Sequence, residues 1–117
     1  MKKIAIPVVN GMLCEFLSQC SHYMIFEVEH GLIKNKELLV SEGKETRELP
    51  EWMSQLGITD VIVFKVSKEI IQLFSYLKIH LFVGIQINSP ESIIEEYLCG
   101  NLRSDNGIIN KILELNL

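Results

Sequence analysis

Apolar residues fall along this chain in short blocks of two different periods, separated by polar punctuation. Residues 2–9, KKIAIPVV, form a run rich in β-branched side chains that ends at Asn10-Gly11. That pattern predicts a buried strand closed by a turn. Residues 10–21, NGMLCEFLSQCS, have no clean period and read as a loop with room for one helical turn. Residues 22–29, HYMIFEVE, alternate: Tyr23, Ile25 and, less cleanly, Glu27 share one face, while Met24, Phe26 and Val28 share the other. After His30-Gly31, the more polar LIKNKELLV of 32–40 completes an antiparallel hairpin around a tight glycine turn.

Beyond the charged connector SEGKETRE (41–48), the period changes. LPEWMSQLG (49–57) predicts a short helix, with Pro50 in its first turn, Trp52, Met53 and Leu56 on one side and Gly57 as its stop. DVIVFKV (60–66) and IHLFVGI (79–85) predict buried strands. Between them, SKEIIQLFSYLK (67–78) is amphipathic, capped by Ser67, with Ile70, Ile71, Phe74 and Leu77 as its apolar stripe. SPESIIEEYLCG (89–100) places Ser89 at the cap, Pro90 at the first helical position and Gly100 at the stop. In the tail, NGIINKILELNL (106–117), helical spacing recurs at Ile109, Ile112 and Leu113.

The order β-β-β-α-β-α-β-α implies an α/β fold with parallel, right-handed crossovers in its later half. We expect a mixed five-stranded sheet, an N-terminal antiparallel hairpin element and helices on the sheet faces. Strands 2–9, 60–66 and 79–85 should be central. Strand 32–40 should be an edge, where Lys34, Asn35, Lys36 and Glu37 discourage edge-to-edge pairing. That edge and the apolar tail are the two surfaces that suit a protein partner or a homodimer.

Composition narrows the function classes. The chain has 117 residues, 48% of them apolar and 22% charged, which suits one globular domain. Its formal net charge is -4 and no basic run exceeds Lys2-Lys3, so a nucleic-acid partner is not expected. No apolar stretch approaches a membrane span, and IAIPVV is too short for a secretory signal core. A cytoplasmic location follows as an expectation, and three cysteines without framework spacing fit a reducing compartment.

Ligands of open α/β sheets bind beyond the carboxyl ends of the strands. There the loop 10–21, the junction at 65–67 and the junction at 84–89 should meet. The helix starts at Ser67 and Ser89 favour an anion. Lys65, at the end of a central strand, is a candidate anion-binding cation beside Ser67, with Glu15 as its salt-bridge partner. Cys14 and Cys20, separated by five residues, are the candidate metal ligands, with His22 as a further one. His30 and His80 read as structural or solvated, and Cys99 as packing. No nucleophile–base–orienter set, P-loop or G-x-G-x-x-G occurs. A two-metal nuclease would need several acids on the central strands, where only Asp60 is found. The expectation is therefore a protein that is not an enzyme.

Four segments carry a family resemblance: MKKIAIPVVNGMLCEFLSQCSHYMIFEVEHGLI, ELPEWMSQLGITDVIVF, QLFSYLKIHLFVGI and PESIIEEYLCGNL. Over residues 1–103, in order and spacing, they resemble the dinitrogenase iron–molybdenum cofactor biosynthesis family; residues 104–117 form a tail or short helix beyond it. The resemblance implies an RNase H-like three-layer α/β fold and a role as carrier or accessory domain for iron–sulfur–molybdenum clusters or their precursors. The family's His-Phe-Gly loop is replaced here by Phe16, Leu17 and Ser18, and the following histidine by Gln19. A glycine-rich turn is replaced by Phe64, Lys65, Val66 and Ser67. The flanking Cys14 and Cys20 remain. Two functional expectations follow. One is a non-catalytic accessory protein with a degenerate metal site, holding a cluster or precursor weakly or none at all. The other is a metal-free module that binds a small anionic ligand or a protein partner at the same crevice.

Overall fold

In a computed structural model of the chain, residues 1–115 are described. The last two residues of the tail expected at 106–117 lie outside them. Strand β1 (Lys2–Val9) turns back through Asn10 and Gly11, both at positive φ (53° and 74°), into a two-residue strand β2 (Met12–Leu13). A single 3-10 turn, Leu17–Gln19, then leads to β3 (His22–Glu29). A tight turn like that at Asn10 and Gly11, formed by His30 and Gly31 (φ 55° and 74°), joins β3 to β4 (Leu32–Val40). Consecutive positive-φ residues are what a tight hairpin turn needs, and Asn-Gly and His-Gly supply them.

The second half alternates. A 3-10 turn, Thr46–Glu48, runs into α1 (Leu49–Gln55). Then come β5 (Asp60–Ile62), α2 (Lys68–Tyr76), β6 (His80–Phe82), α3 (Pro90–Leu98) and α4 (Asn106–Leu115). The expected caps are present: Ser67 accepts from the Ile70 N–H and Ser89 from the Ser92 N–H. The regular parts of β5 and β6 span three residues each, shorter than the apolar runs that contain them. Beyond Ile62 the chain leaves the ladder to build the loop that carries Lys65.

The sheet is mixed, in the order β4-β3-β1-β5-β6, with β2 beside the end of β1. The five expected strands form this path, and β2 adds a sixth from inside the segment read as a loop. The β1–β3 and β3–β4 pairs are antiparallel; β1–β5 and β5–β6 are parallel. As expected, β4 is an edge. It carries a bulge opposite Glu27/Val28, at Lys34, and leaves Leu32, Ile33, Leu38 and Val40 exposed. Strand 79–85, expected to be central, is instead the opposite edge. Its apolar residues are buried without a further strand because the segment after α3 covers it: the Val83 N–H donates to Ser104 Oγ at 3.0 Å and the Asp105 N–H to the Val83 carbonyl at 2.8 Å.

Strand alternation sorts the core into two clusters. Tyr23, Ile25, Ala5 and Val61 pack with Met53 of α1, Ile70 and Phe74 of α2 and Ile112 of α4. Ile4, Ile6, Phe26 and Ile62 pack with Ile93 and Ile94 of α3. The fold is thus a mixed α/β sheet with helices, as expected, and its parallel half aims the β5–α2 connection at a crevice. Among the described residues, no helix is long and apolar enough to cross a membrane.

Candidate functional site

The crevice lies where β5 gives way to α2. The 3-10 turn after β2 forms one wall: Phe16 makes an isolated parallel bridge with Lys65, the Leu17 N–H donates to the Lys65 carbonyl at 3.3 Å, and the Lys65 N–H to the Glu15 carbonyl at 3.2 Å. Phe64, Val66 and Ile70 continue the wall, Thr46 closes one side, and Ile108, Lys111 and Ile112 of α4 cover the top. The enclosed volume is about 660 Å³, within the usual range for small-molecule sites.

The lining is mainly apolar, and its polar groups are few. Lys65 and Lys111 are its two charged residues, both cationic, in a chain whose net charge is -4. Ser18, Thr46 and Ser67 also line it. The Lys65 ammonium lies 5.6 Å from the centroid of Phe16 and 5.1 Å from that of Phe64. Ring quadrupoles attract a cation without neutralising it. Neither lysine forms an ion pair among the described residues; the expected Glu15–Lys65 contact is made by the main chain instead. Ser67 already caps α2 at the Ile70 N–H, at 3.3 Å.

The cysteines lie elsewhere. Cys14 is 5% exposed and Cys20 9% exposed, and neither lines the crevice. Cys20 borders a separate surface depression with His22 and Leu38. The Cys14 thiol donates to the Phe16 carbonyl at 3.3 Å; the Cys20 thiol lies 3.1 Å from the His22 carbonyl and 3.4 Å from that of Val8. Burial pushes the Cys20 thiol up from its ordinary 9.0 to about 12, and the neighbouring Cys14 adds to the rise. His22 Nδ1 is 2.9 Å from Ser21 Oγ. Among the described residues, no three His, Cys, Asp or Glu side chains gather as a metal ion would require. Both thiols turn to main-chain carbonyls, and burial keeps that of Cys20 from ionising, which does not fit an iron–sulfur or iron–molybdenum cluster, whose ligands are thiolates.

These placements predict thiol behaviour. Cys99, expected to be packed, is exposed at the end of α3 and should react first with an alkylating reagent at neutral pH. Cys14 and Cys20 should react only as the protein unfolds. The pH dependence follows from the sign of the shift. A folded-state pKa raised to about 12 gives stability that is complete below pH 9.0 and is lost as pH rises through that window. Buried Tyr23 is shifted upward by burial and acts in the same direction. Urea midpoints should therefore fall between pH 9.0 and about 12, and less so in Cys20→Ala.

Lys65 and Ser67, expected at the site from the sequence, do line the crevice together. Phe16 and Phe64, which the sequence offered as replacements in the family's loops, form its walls, and Lys111 was not expected there. Lys111 had a readable signal: Ile108, Lys111 and Ile112 follow helical spacing on one face of α4.

No family model matches the chain. The uncharacterized protein MJ0580 of Methanocaldococcus jannaschii is 26% identical over 107 residues, covering 87% of this chain and 90% of its own. The crystal structure of PH0822 superimposes with a TM-score of 0.81 at 20% identity, over 88% of this chain and 94% of that one. MJ0327 of M. jannaschii, provisionally described as a dinitrogenase, superimposes with a TM-score of 0.73 at 16% identity, over 88% and 93%. This chain, PH0822 and MJ0327 share one fold. At such identities the likeness is one of scaffold, and residue roles rest on the geometry above.

Proposed function

We propose that the chain is a non-catalytic binding protein whose crevice takes a small anion with an apolar body and holds no metal cluster. The observation that carries this reading is the crevice itself: an apolar cavity of about 660 Å³ whose charged lining residues, Lys65 and Lys111, are both cationic. An apolar ligand body displaces water from Phe16, Phe64 and Ile70, while its anionic end meets the two ammonium groups and the start of α2. The resemblance over residues 1–103, together with the fold shared with MJ0327, supports an origin among nitrogenase-related accessory proteins. On this reading, Phe16, Leu17, Ser18 and Gln19 stand where the family's ligand loop would be, and the scaffold serves a different cargo. The metal-free module is thus favoured over the cluster carrier.

Octanoate and 1-naphthoate, each compared with its uncharged amide, test the proposal by calorimetry and thermal shift. The carboxylates should bind and raise the melting temperature, and the amides should bind more weakly. Lys65→Ala should weaken carboxylate binding about tenfold, the scale of one charge-assisted contact. Equal binding of acid and amide, or no loss in Lys65→Ala and Lys111→Ala, overturns the anion assignment. Anaerobic reconstitution with iron and sulfide is the opposing arm. Stoichiometric cluster uptake that disappears in Cys14→Ala and Cys20→Ala would restore the carrier reading.

A further inference from the structure

A second group of polar side chains lies along the outer edge of β6, apart from the crevice. Asp60 and His80 open two adjacent parallel strands and face each other in register. The Asp60 carboxylate is 2% exposed. Its Oδ1 is 2.6 Å from Thr59 Oγ1 and its Oδ2 is 3.5 Å from His80 Nδ1, and its charge helps burial push the Tyr97 hydroxyl up. With Nδ1 turned toward Asp60, the other ring nitrogen of His80, Nε2, faces away from the carboxylate. The ring is held in this attitude by stacking on Phe82, centroid to centroid 4.3 Å, and Phe82 in turn meets the edge of Tyr97 at 5.9 Å. A buried acid that orients an exposed imidazole is more than packing requires, because the His80 side chain is 63% exposed and gives little area to the core.

The imidazole lines a recess of about 310 Å³ together with Tyr97, Arg103 and Ser104, with Phe82 as an apolar floor. Arg103 is fixed by its own loop: Nη1 donates to the Gly100 carbonyl at 2.7 Å and to the Leu102 carbonyl at 2.9 Å. Its Nη2 and Nε make no hydrogen bond to the described residues. Ser104 Oγ accepts from the Val83 N–H at 3.0 Å, which leaves its proton free to donate. Glu96 and Asp105 do not line this recess; they line the neighbouring depression, which Arg103 and Ser104 also border. The charged or titratable groups facing the imidazole are thus Asp60 from β5, Tyr97 from α3 and Arg103 from the segment after α3.

We propose that this recess binds a phosphoryl group, that of inorganic phosphate or of a small phosphomonoester, between His80 Nε2, the Arg103 guanidinium and the Ser104 hydroxyl. The imidazole on β6, together with the guanidinium and hydroxyl of the segment after α3, suits a tetrahedral oxyanion, and a preset guanidinium fork binds it with two N–H groups. Asp60 is a positioning residue: its carboxylate, 3.5 Å from Nδ1, sets the attitude of the His80 ring. The site is independent of the crevice and of the ligand assigned there.

The test is an amide-resonance titration of the whole chain with inorganic phosphate and, separately, with glycerol 3-phosphate, at constant ionic strength and mildly acidic pH. Saturable shifts are expected at residues 80 and 100–104. His80→Gln and Arg103→Gln, both at exposed positions that leave the core intact, should each weaken binding about tenfold, while Lys65→Ala leaves it unchanged. Tighter binding of glycerol 3-phosphate identifies a phosphomonoester as the ligand, and equal binding identifies phosphate itself; both support the site. Shifts that fail to saturate with either probe, or that persist unchanged in both variants, overturn it.

Discussion

Gly84→Ala will unseat α4 and open the crevice. Gly84 sits two residues beyond β6 with φ +80°, a conformation that costs an L-residue about 1–2 kcal/mol. A Cβ built there would lie 2.6 Å from Asp105 Cβ, 3.3 Å from the Asp105 nitrogen and 3.2 Å from Ile108 Cδ1. The close neighbours include main chain and the first carbon of a side chain, so the clash cannot be relieved by swinging a flexible tip aside. Asp105 cannot yield without loss either. Its N–H donates to the Val83 carbonyl at 2.8 Å, and its Oδ1 accepts from the N–H groups of Gly107 and Ile108 at 2.9 and 3.2 Å, starting α4. Overpacking of this kind adds about 1–3 kcal/mol. The sum, roughly 2–5 kcal/mol by those two estimates, corresponds to a fall in melting temperature of about 10 °C or more for a domain of this size. Hydrogen exchange should localise the effect, with the amides of α4 losing protection before those of β1 and β3. Because Ile108, Lys111 and Ile112 cover the crevice, carboxylate binding should weaken in the same variant. Wild-type protection of α4 in Gly84→Ala would show that the close approach at this glycine is not needed.

The dependence of the crevice on α4 explains why only part of the site was legible in the sequence. Local signals read well. Ser67 and Ser89-Pro90 cap the helices they were expected to cap, and the alternation in 22–29 separates Tyr23 and Ile25 from Met24, Phe26 and Val28 onto the two faces of the sheet. Lys65 could be placed at a strand end from its position between an apolar run and a helix cap. What failed was nonlocal. An apolar run says that a strand is covered, not what covers it, so β6 looked central although loop and helix residues seal its outer edge. The cysteine spacing said nothing of direction, and both thiols turn to backbone carbonyls. The pairing of Asp60 with His80 needed the register of two strands separated by a helix, although each residue opens its strand.

Phe74→Ala and Tyr76→Ala form the second strong contrast, because the two aromatic residues lie two positions apart on α2 and should differ in effect by several kcal/mol. Phe74 is 0% exposed and packs among the sheet residues and the other helices of its cluster; Tyr76 is 78% exposed. Removing a fully buried phenyl ring loses its transfer free energy and leaves a cavity, together about 3–5 kcal/mol. Against a total stability of roughly 5–15 kcal/mol, that is enough to leave a substantial unfolded fraction at moderate temperature. Tyr76→Ala, which vacates solvent-facing surface, should stay within about 0.5 kcal/mol of wild type. Urea denaturation measures both. The comparison also bears on function, because Phe74 and Ile70 seat α2 on the sheet, and α2 presents Ser67 and Ile70 to the crevice. Phe74→Ala should therefore weaken octanoate binding even under conditions where the protein remains folded, whereas Tyr76→Ala should not. Equal stability losses in the two variants would mean that α2 is not anchored through Phe74. A large stability loss in Phe74→Ala with unaltered octanoate affinity in the folded fraction would mean that the crevice does not depend on how α2 is seated.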